Sequence, residues 1–270
     1  MIRKVSKGLY TALIFLFLYA PIAVLIIFSF NESKSRGSWG GFSLKWYQAL
    51  FHDGAIMDAL FTTLTVALFA SLISAVIGTL AAIGISGLKR RMRNVFMNVA
   101  YLPVLNPDIV TGVSLLILFM FIGNFIDLQP GYITLLLSHI TFCIPYVILS
   151  VLPKFSQINR NVFEAAMDLG CPPLQAFFRV VFPELWPNIV TGFLLSFTLS
   201  IDDFVISFFT TGPGVNTLSI TIYSMARRGI KPEINALSTI MFLVVFIMLL
   251  IVNMRSSKTD KNTIKSQKEV

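Results

Sequence analysis

Six stretches of the chain run for twenty residues or more with almost no charged side chain: 9–30, 59–88, 95–125, 133–152, 186–211 and 234–254. A helix needs about 20 mainly apolar residues to cross a hydrocarbon layer of roughly 30 Å. Each stretch therefore predicts a membrane-spanning helix. The first, second and last contain no charged residue, the fourth holds His139, the third holds Asp108, and the fifth holds Asp202 and Asp203. The segments 59–88 and 95–125 exceed the required length, which predicts tilt, breaks or extramembrane ends. Pro103 and Pro107 are expected to bend or delay the third helix. The first run follows Arg3, Lys4 and Lys7 and so imitates a secretory signal. It is longer than a signal core and lacks a small-x-small cleavage site, so it is expected to stay as an anchor.

Composition agrees with lipid as the surrounding solvent. Hydrophobic residues make up 56% and charged residues 13%, against about 25% charged in soluble domains. The net charge of +8 is explained by where it falls. With six spans both termini share one side; taking that side as cytoplasmic puts 15 of the 21 Lys and Arg inside and 6 outside. That is the positive-inside distribution, and it requires no nucleic acid. Cys143 and Cys171 show no metal-ligand or disulfide spacing. No G-x-x-x-x-G-K-[ST], G-x-S-x-G or H-E-x-x-H occurs, so no cofactor, metal or ATP hydrolysis is expected of this chain. The organisation read from the sequence is an anchor helix with an external segment (1–58), a core (59–254) and a basic, solvated cytoplasmic tail (255–270).

The segment 153–187 is too elaborate for a connector. Asn161 is placed to cap a short helix, with Glu164 three residues on as in a capping box. Gly170 is a natural stop, and Pro172 and Pro173 are suited to open a second helix. The expectation is a helix–turn–helix at the membrane surface, with Ala165 and Ala166 offering a close-approach surface. On this pattern alone it is either an interfacial connector or a docking elbow.

The run Glu164-Ala165-Ala166, three residues, Gly170, nine residues, Val180-Val181-Phe182-Pro183 resembles the EAA loop of ABC importer permeases, E-A-A-x3-G-x9-I-x-L-P. Only Val180 for Ile and Phe182 for Leu depart from it. The resemblance implies an all-α, six-helix type I (MetI-like) permease fold with cytoplasmic termini in a bacterial inner membrane. It also implies that Glu164, Ala165, Ala166, Gly170 and Pro183 couple to a separate ATPase dimer. A homologous permease subunit and an extracytoplasmic solute-binding protein would complete the assembly. The segment 41–47 resembles the external segment before the second helix in this family, and 107–110, 138–143, 196–203, 211–213 and 222–225 are similar to its spermidine/putrescine permeases, which implies a polyamine solute.

The acids within the spans carry the solute argument. A carboxylate at a helix centre costs roughly 2.5–3.5 kcal/mol on insertion scales, so it is normally paired or faces a wet cavity. Asp108 lies about 14 residues into its stretch and Asp202 and Asp203 about 16 into theirs, between midplane and outer half at 1.5 Å per residue. No Lys or Arg shares those stretches, and a spaced diammonium ion fits such a site. Asp202 and Asp203 point about 100° apart on a helix, so they cannot line one path equally; either is also suited to capping a break. Trp46 and Tyr223 are candidates for stacking on an alkylammonium and equally for interface anchoring. His139 reads as a hydrogen-bonded packing residue. Iron, an anion, a peptide or an amino-acid-like solute stays open, as does an ion-coupled secondary transporter. A lipid-acting enzyme does not fit two distant histidines, His52 and His139.

Overall fold

The computed structural model describes residues 2–34, 38–126, 128–228 and 232–247. The chain forms two compact units, Asp58–Thr221 and the pair Met1–Met57 with Ile222–Val270. The regular structure among the described residues is helical, apart from one isolated antiparallel bridge, Asn31 to Phe42. Among the described residues, five helices are long and apolar enough to cross a membrane: Gly8–Ser29, Gly54–Ser86, Asp108–Ile126, Tyr132–Gln157 and Pro173–Asp202. A shorter apolar helix, Glu233–Ile247, covers part of the expected sixth span; residues 248–254 and the tail 255–270 lie outside the described residues.

In the first unit, α1 (Ile2–Ser29) is joined to α2 (Lys45–His52) by a folded loop. Asn31 is its hub. The Asn31 carboxamide oxygen accepts from the N–H of Ser33 and Gly40, and its amide donates to the Ser38 carbonyl. Its own carbonyl accepts the Trp46 indole N–H at 2.6 Å. Buried backbone groups outside regular structure need such partners, and one buried Asn side chain supplies three of them.

In the second unit α6 (Tyr132–Gln157) is central. Apolar burial gives little drive between helices in lipid, so close approach and polar contacts decide packing. A Cβ on Gly78 of α3 (Gly54–Ser86) would lie 2.7 Å from the Val147 Cβ, and one on Gly192 of α9 (Phe182–Asp202) 3.2 Å from the Val147 Cα. The first contact excludes any side chain without a shift of Val147, and the second would force the helices apart by a few tenths of an ångström. The Ser74 hydroxyl donates to the Ile140 carbonyl across α3 and α6. Along α6 and α9 the contacts run in antiparallel register: Ser150 with Asn188, Val147 with Gly192, Cys143 with Ser196, and His139 with Ser200. On α9 these partners recur every fourth residue, one face of a helix. Both cysteines are free thiols.

Two expected spans are broken. The third divides at Asn106 and Pro107 into α4 (Arg90–Leu105) and α5 (Asp108–Ile126), because Pro107 supplies no N–H and restricts the residue before it. The fifth begins earlier than expected, at Pro173. Helix α8 (Pro173–Ala176) runs through a π turn, Phe177–Val181, directly into α9. Pro183 follows the π turn; an α-helical Pro there would clash with the Arg179 carbonyl, and the wider turn relieves it. At the far end α9 stops at Asp202, and a short α10 (Val205–Thr210) follows.

Candidate functional site

The far end of α9 is a polar break closed by its own side chains. Asp203 has left the helix, with ψ 126°, and its carboxylate caps α10. One oxygen accepts from the Ile206 N–H at 3.2 Å, the other from the Ser207 N–H at 2.7 Å and the Ser207 hydroxyl at 2.8 Å. His139 is buried between them, with Nδ1 2.6 Å from the Ser200 hydroxyl and Nε2 3.0 Å from that of Ser207. Nε2 lies 3.6 Å from the Asp203 carboxylate. With Asp203 ionised, the Ser207 hydroxyl must donate to it and so accepts from Nε2–H. Nδ1 then accepts from Ser200. Every buried donor in the array is matched, which is what a low-dielectric site demands.

The break treats its two acids differently. Asp203 has a side chain only 8% exposed, whereas Asp202 at the helix end is exposed. The adjacency that made them ambiguous in the sequence is resolved by the turn of the chain between them. Asp108 is exposed as well. It is not 14 residues into a helix: it opens α5, where the helix dipole favours an anion. In the same unit α10 rests on α5 at Gly112, whose added Cβ would meet Phe209 at 2.9 Å. Leu115, Phe119 and Ile206 fill the contact.

The aromatic candidates belong to the other unit. Trp46 is 3% exposed, held by Asn31, with the Lys45 ammonium 5.3 Å from its ring centroid. Tyr223 is exposed, and the Arg227 guanidinium carbon lies 5.8 Å from its ring centroid.

At the opposite end of the α9 run stands the elbow. Helix α7 (Arg160–Asp168) is capped by Asn159, not Asn161: the Asn159 side chain accepts from the Asn161 N–H at 3.0 Å. The cap lies two residues before the expected one because a suitable Asn also stands there. Its C-terminus explains the spacing of the motif. The Cys171 N–H bonds the Ala166 carbonyl and the Gly170 N–H bonds that of Met167, a Schellman closure. It needs a left-handed residue, and Gly170 has φ +89°. Ala166 and Gly170 are thus the two ends of one turn. Phe163 pins the inner face of α7 to a cluster containing Val151, Leu152, Val181 and Leu185. The outer face leaves Glu164 and Ala165 exposed beside Leu169 (87%) and Leu174 (74%). Pro183 is exposed just beyond the π turn. Large exposed apolar side chains at a turn mark an interaction surface, for another protein or for lipid.

The sequence reading missed Ser200, Ser207 and the α9 stripe. The recurrence of Asn188, Gly192, Ser196 and Ser200 at four-residue spacing in an apolar stretch was the available signal.

Residues 74–256 match the family described as "Binding-protein-dependent transport system inner membrane component". The chain is 43% identical over 229 residues to the "Putrescine transport system permease protein PotI" of Escherichia coli (strain K12), covering 84% of this chain and 82% of that protein. It is 36% identical over 264 residues to the "Spermidine/putrescine transport system permease protein PotC" of the same strain, covering 97% and 98%. A crystal structure of a bacterial alginate ABC transporter in complex with alginate pentasaccharide-bound periplasmic protein shares the fold, with TM-score 0.71, 18% identity and 94% of each chain covered.

Proposed function

Since this chain belongs to the family of binding-protein-dependent transport system inner membrane components, it is a permease subunit of the inner membrane, and we propose that its solute is a polyamine. The observation that carries the substrate is the distribution of charge. From Asn94 to Pro153 and from Val180 to Ala226 the sequence has no Lys or Arg, yet it holds Asp108 and Asp202, both exposed at helix ends. A solute with spaced ammonium groups supplies the missing cations, and partial pairing lets it leave again. Asp108 and Asp202 are assigned to the path. Asp203 and Trp46 are not assigned to the solute, since their polar atoms are already bonded within the chain.

The elbow is assigned to coupling. Glu164, Ala165, Ala166 and Gly170 present a surface to a separate ATPase, and Pro183 sits where the elbow turns into α9. Because α8, the π turn and α9 form one continuous run, displacement of the elbow moves the helix that ends at Asp202. The remaining partners are a homologous permease and an extracytoplasmic solute-binding protein, with the elbow and both termini on the cytoplasmic side. The core of the permease is assigned to 59–254.

Radiolabelled putrescine and spermidine uptake by cells carrying the complete set of subunits tests the solute. Uptake competed by unlabelled diamines but not by anions is expected. If polyamines are ignored while another solute is imported, the substrate assignment falls and the family stands.

A further inference from the structure

We propose that the start of α4 is a binding site for an anionic phospholipid, whose headgroup phosphate sits on Lys89, Arg90 and Arg91. This rests on the inner-membrane family membership and is independent of the solute.

Four cations, Lys89, Arg90, Arg91 and Arg93, stand within five residues, and no acid occurs from Ala59 to Pro107. Lys89, Arg90 and Arg91 are exposed, and their side chains make no hydrogen bond or ion pair among the described residues. Arg93 differs from them, since it donates to the Ser156 hydroxyl of α6 at 2.7 Å. That bond fixes the rotation of α4. Arg93 and Met97 turn toward α6, where Met97 packs on the cluster around Val151 and Leu152.

With this seam set, two flanks remain, at about 100° per residue. Arg90, Arg91 and Asn94 occupy one. The other is a continuous apolar strip formed by Met92, Val95, Phe96, Val99 and Leu102, each between 44% and 55% exposed. No residue of α4 is buried. An uncovered apolar strip that begins beside uncompensated cations matches one kind of occupant: an acyl chain continuous with an anionic headgroup. The first turn of α4 adds free backbone N–H groups, because Lys89 at the cap position offers no side-chain acceptor.

A topology signal also requires cations here. It works through total loop charge during insertion and predicts no retained ligand. The two ideas therefore separate in the purified protein. The complete transporter is extracted in a neutral detergent and its retained lipids are counted by native mass spectrometry, for the natural chain and for Arg90→Gln/Arg91→Gln. Protease accessibility confirms that orientation is unchanged. Phosphatidylglycerol or cardiolipin retained on the natural chain is expected, with about thirty-fold weaker retention in the double variant. A second variant, Val95→Ser/Val99→Ser, keeps all four cations and is expected to lose lipid as well.

Three outcomes overturn the proposal. One is equal retention of phosphatidylcholine. Another is displacement by inorganic phosphate alone, which would make this a simple anion site. The last is efficient cross-linking of Val95→Cys to the companion permease with no lipid retained, which would make the strip a subunit interface.

Discussion

The helical run Pro173–Asp202 is interrupted at both ends, and the two interruptions are built on opposite principles. At the elbow end the backbone satisfies itself, through the Schellman turn at Gly170 and the π turn before Pro183, while apolar side chains point outward. At the far end the backbone is broken, and polar side chains turn inward to repair it, with Asp203, Ser207, His139 and Ser200 matched among themselves. One end lacks a partner and the other needs none. On the proposed reading the first end is an interface and the second a self-contained break. An interface tolerates loss of internal stability better than loss of surface chemistry; a self-contained polar array behaves the other way.

Substitutions at the two ends should therefore fail differently. Glu164→Lys should abolish uptake while leaving membrane insertion and thermal stability intact, because reversed charge at a docking surface acts against the partner alone. Uptake at the natural rate in that variant would break the contrast. Asp203→Ala should instead destabilise the permease by about 2–4 kcal/mol, the loss of a cap together with buried donors left unmatched. Denaturant unfolding of the purified transporter measures this, and a stable Asp203→Ala protein would remove the self-contained array.

The neighbouring acid sharpens the same point. Asp202→Asn should leave stability unchanged and raise the apparent KM for putrescine about ten-fold, the worth of one charge-assisted bond. An unchanged KM would move the solute contact elsewhere. Smaller effects are expected within the elbow. Gly170→Ala should cost about 1–2 kcal/mol locally from its left-handed backbone, since nothing lies within 4 Å of the added Cβ; amide exchange of Cys171 reports it. Asn159→Ala should cost about 1 kcal/mol as a lost cap, against less than about 0.5 kcal/mol for Asn161→Ala. The reverse ranking would restore Asn161 as the cap.

Much of this protein is legible without coordinates. Length of apolar stretch decides whether a helix can cross a bilayer, and the motif at Glu164 to Pro183 is a set of local turns whose spacing is their geometry. Gly170 four residues after Ala166 is sufficient to close one, whatever surrounds it. Charge could be counted along the chain too, so the lack of Lys and Arg beside Asp108 and Asp202 needed no structure. The helix breaks were half visible: proline announced the one at Pro107, but no proline marks the one at Asp203.

What the tertiary structure alone decided is the use of each polar group. Asp202 and Asp203 are the same residue type at adjacent positions; the local turn into α10 makes Asp203 a cap, His139 from α6 closes the array around it, and Asp202 is left exposed. Trp46 reads as a ligand for a cation until the Asn31 carbonyl, fifteen residues away, is seen to hold its N–H. Hydropathy reports how much surface a segment must hide from water. It carries no information about which distant donor will meet which acceptor, because that depends on the register of α6 against α9, set by glycines and serines that have little hydropathy of their own.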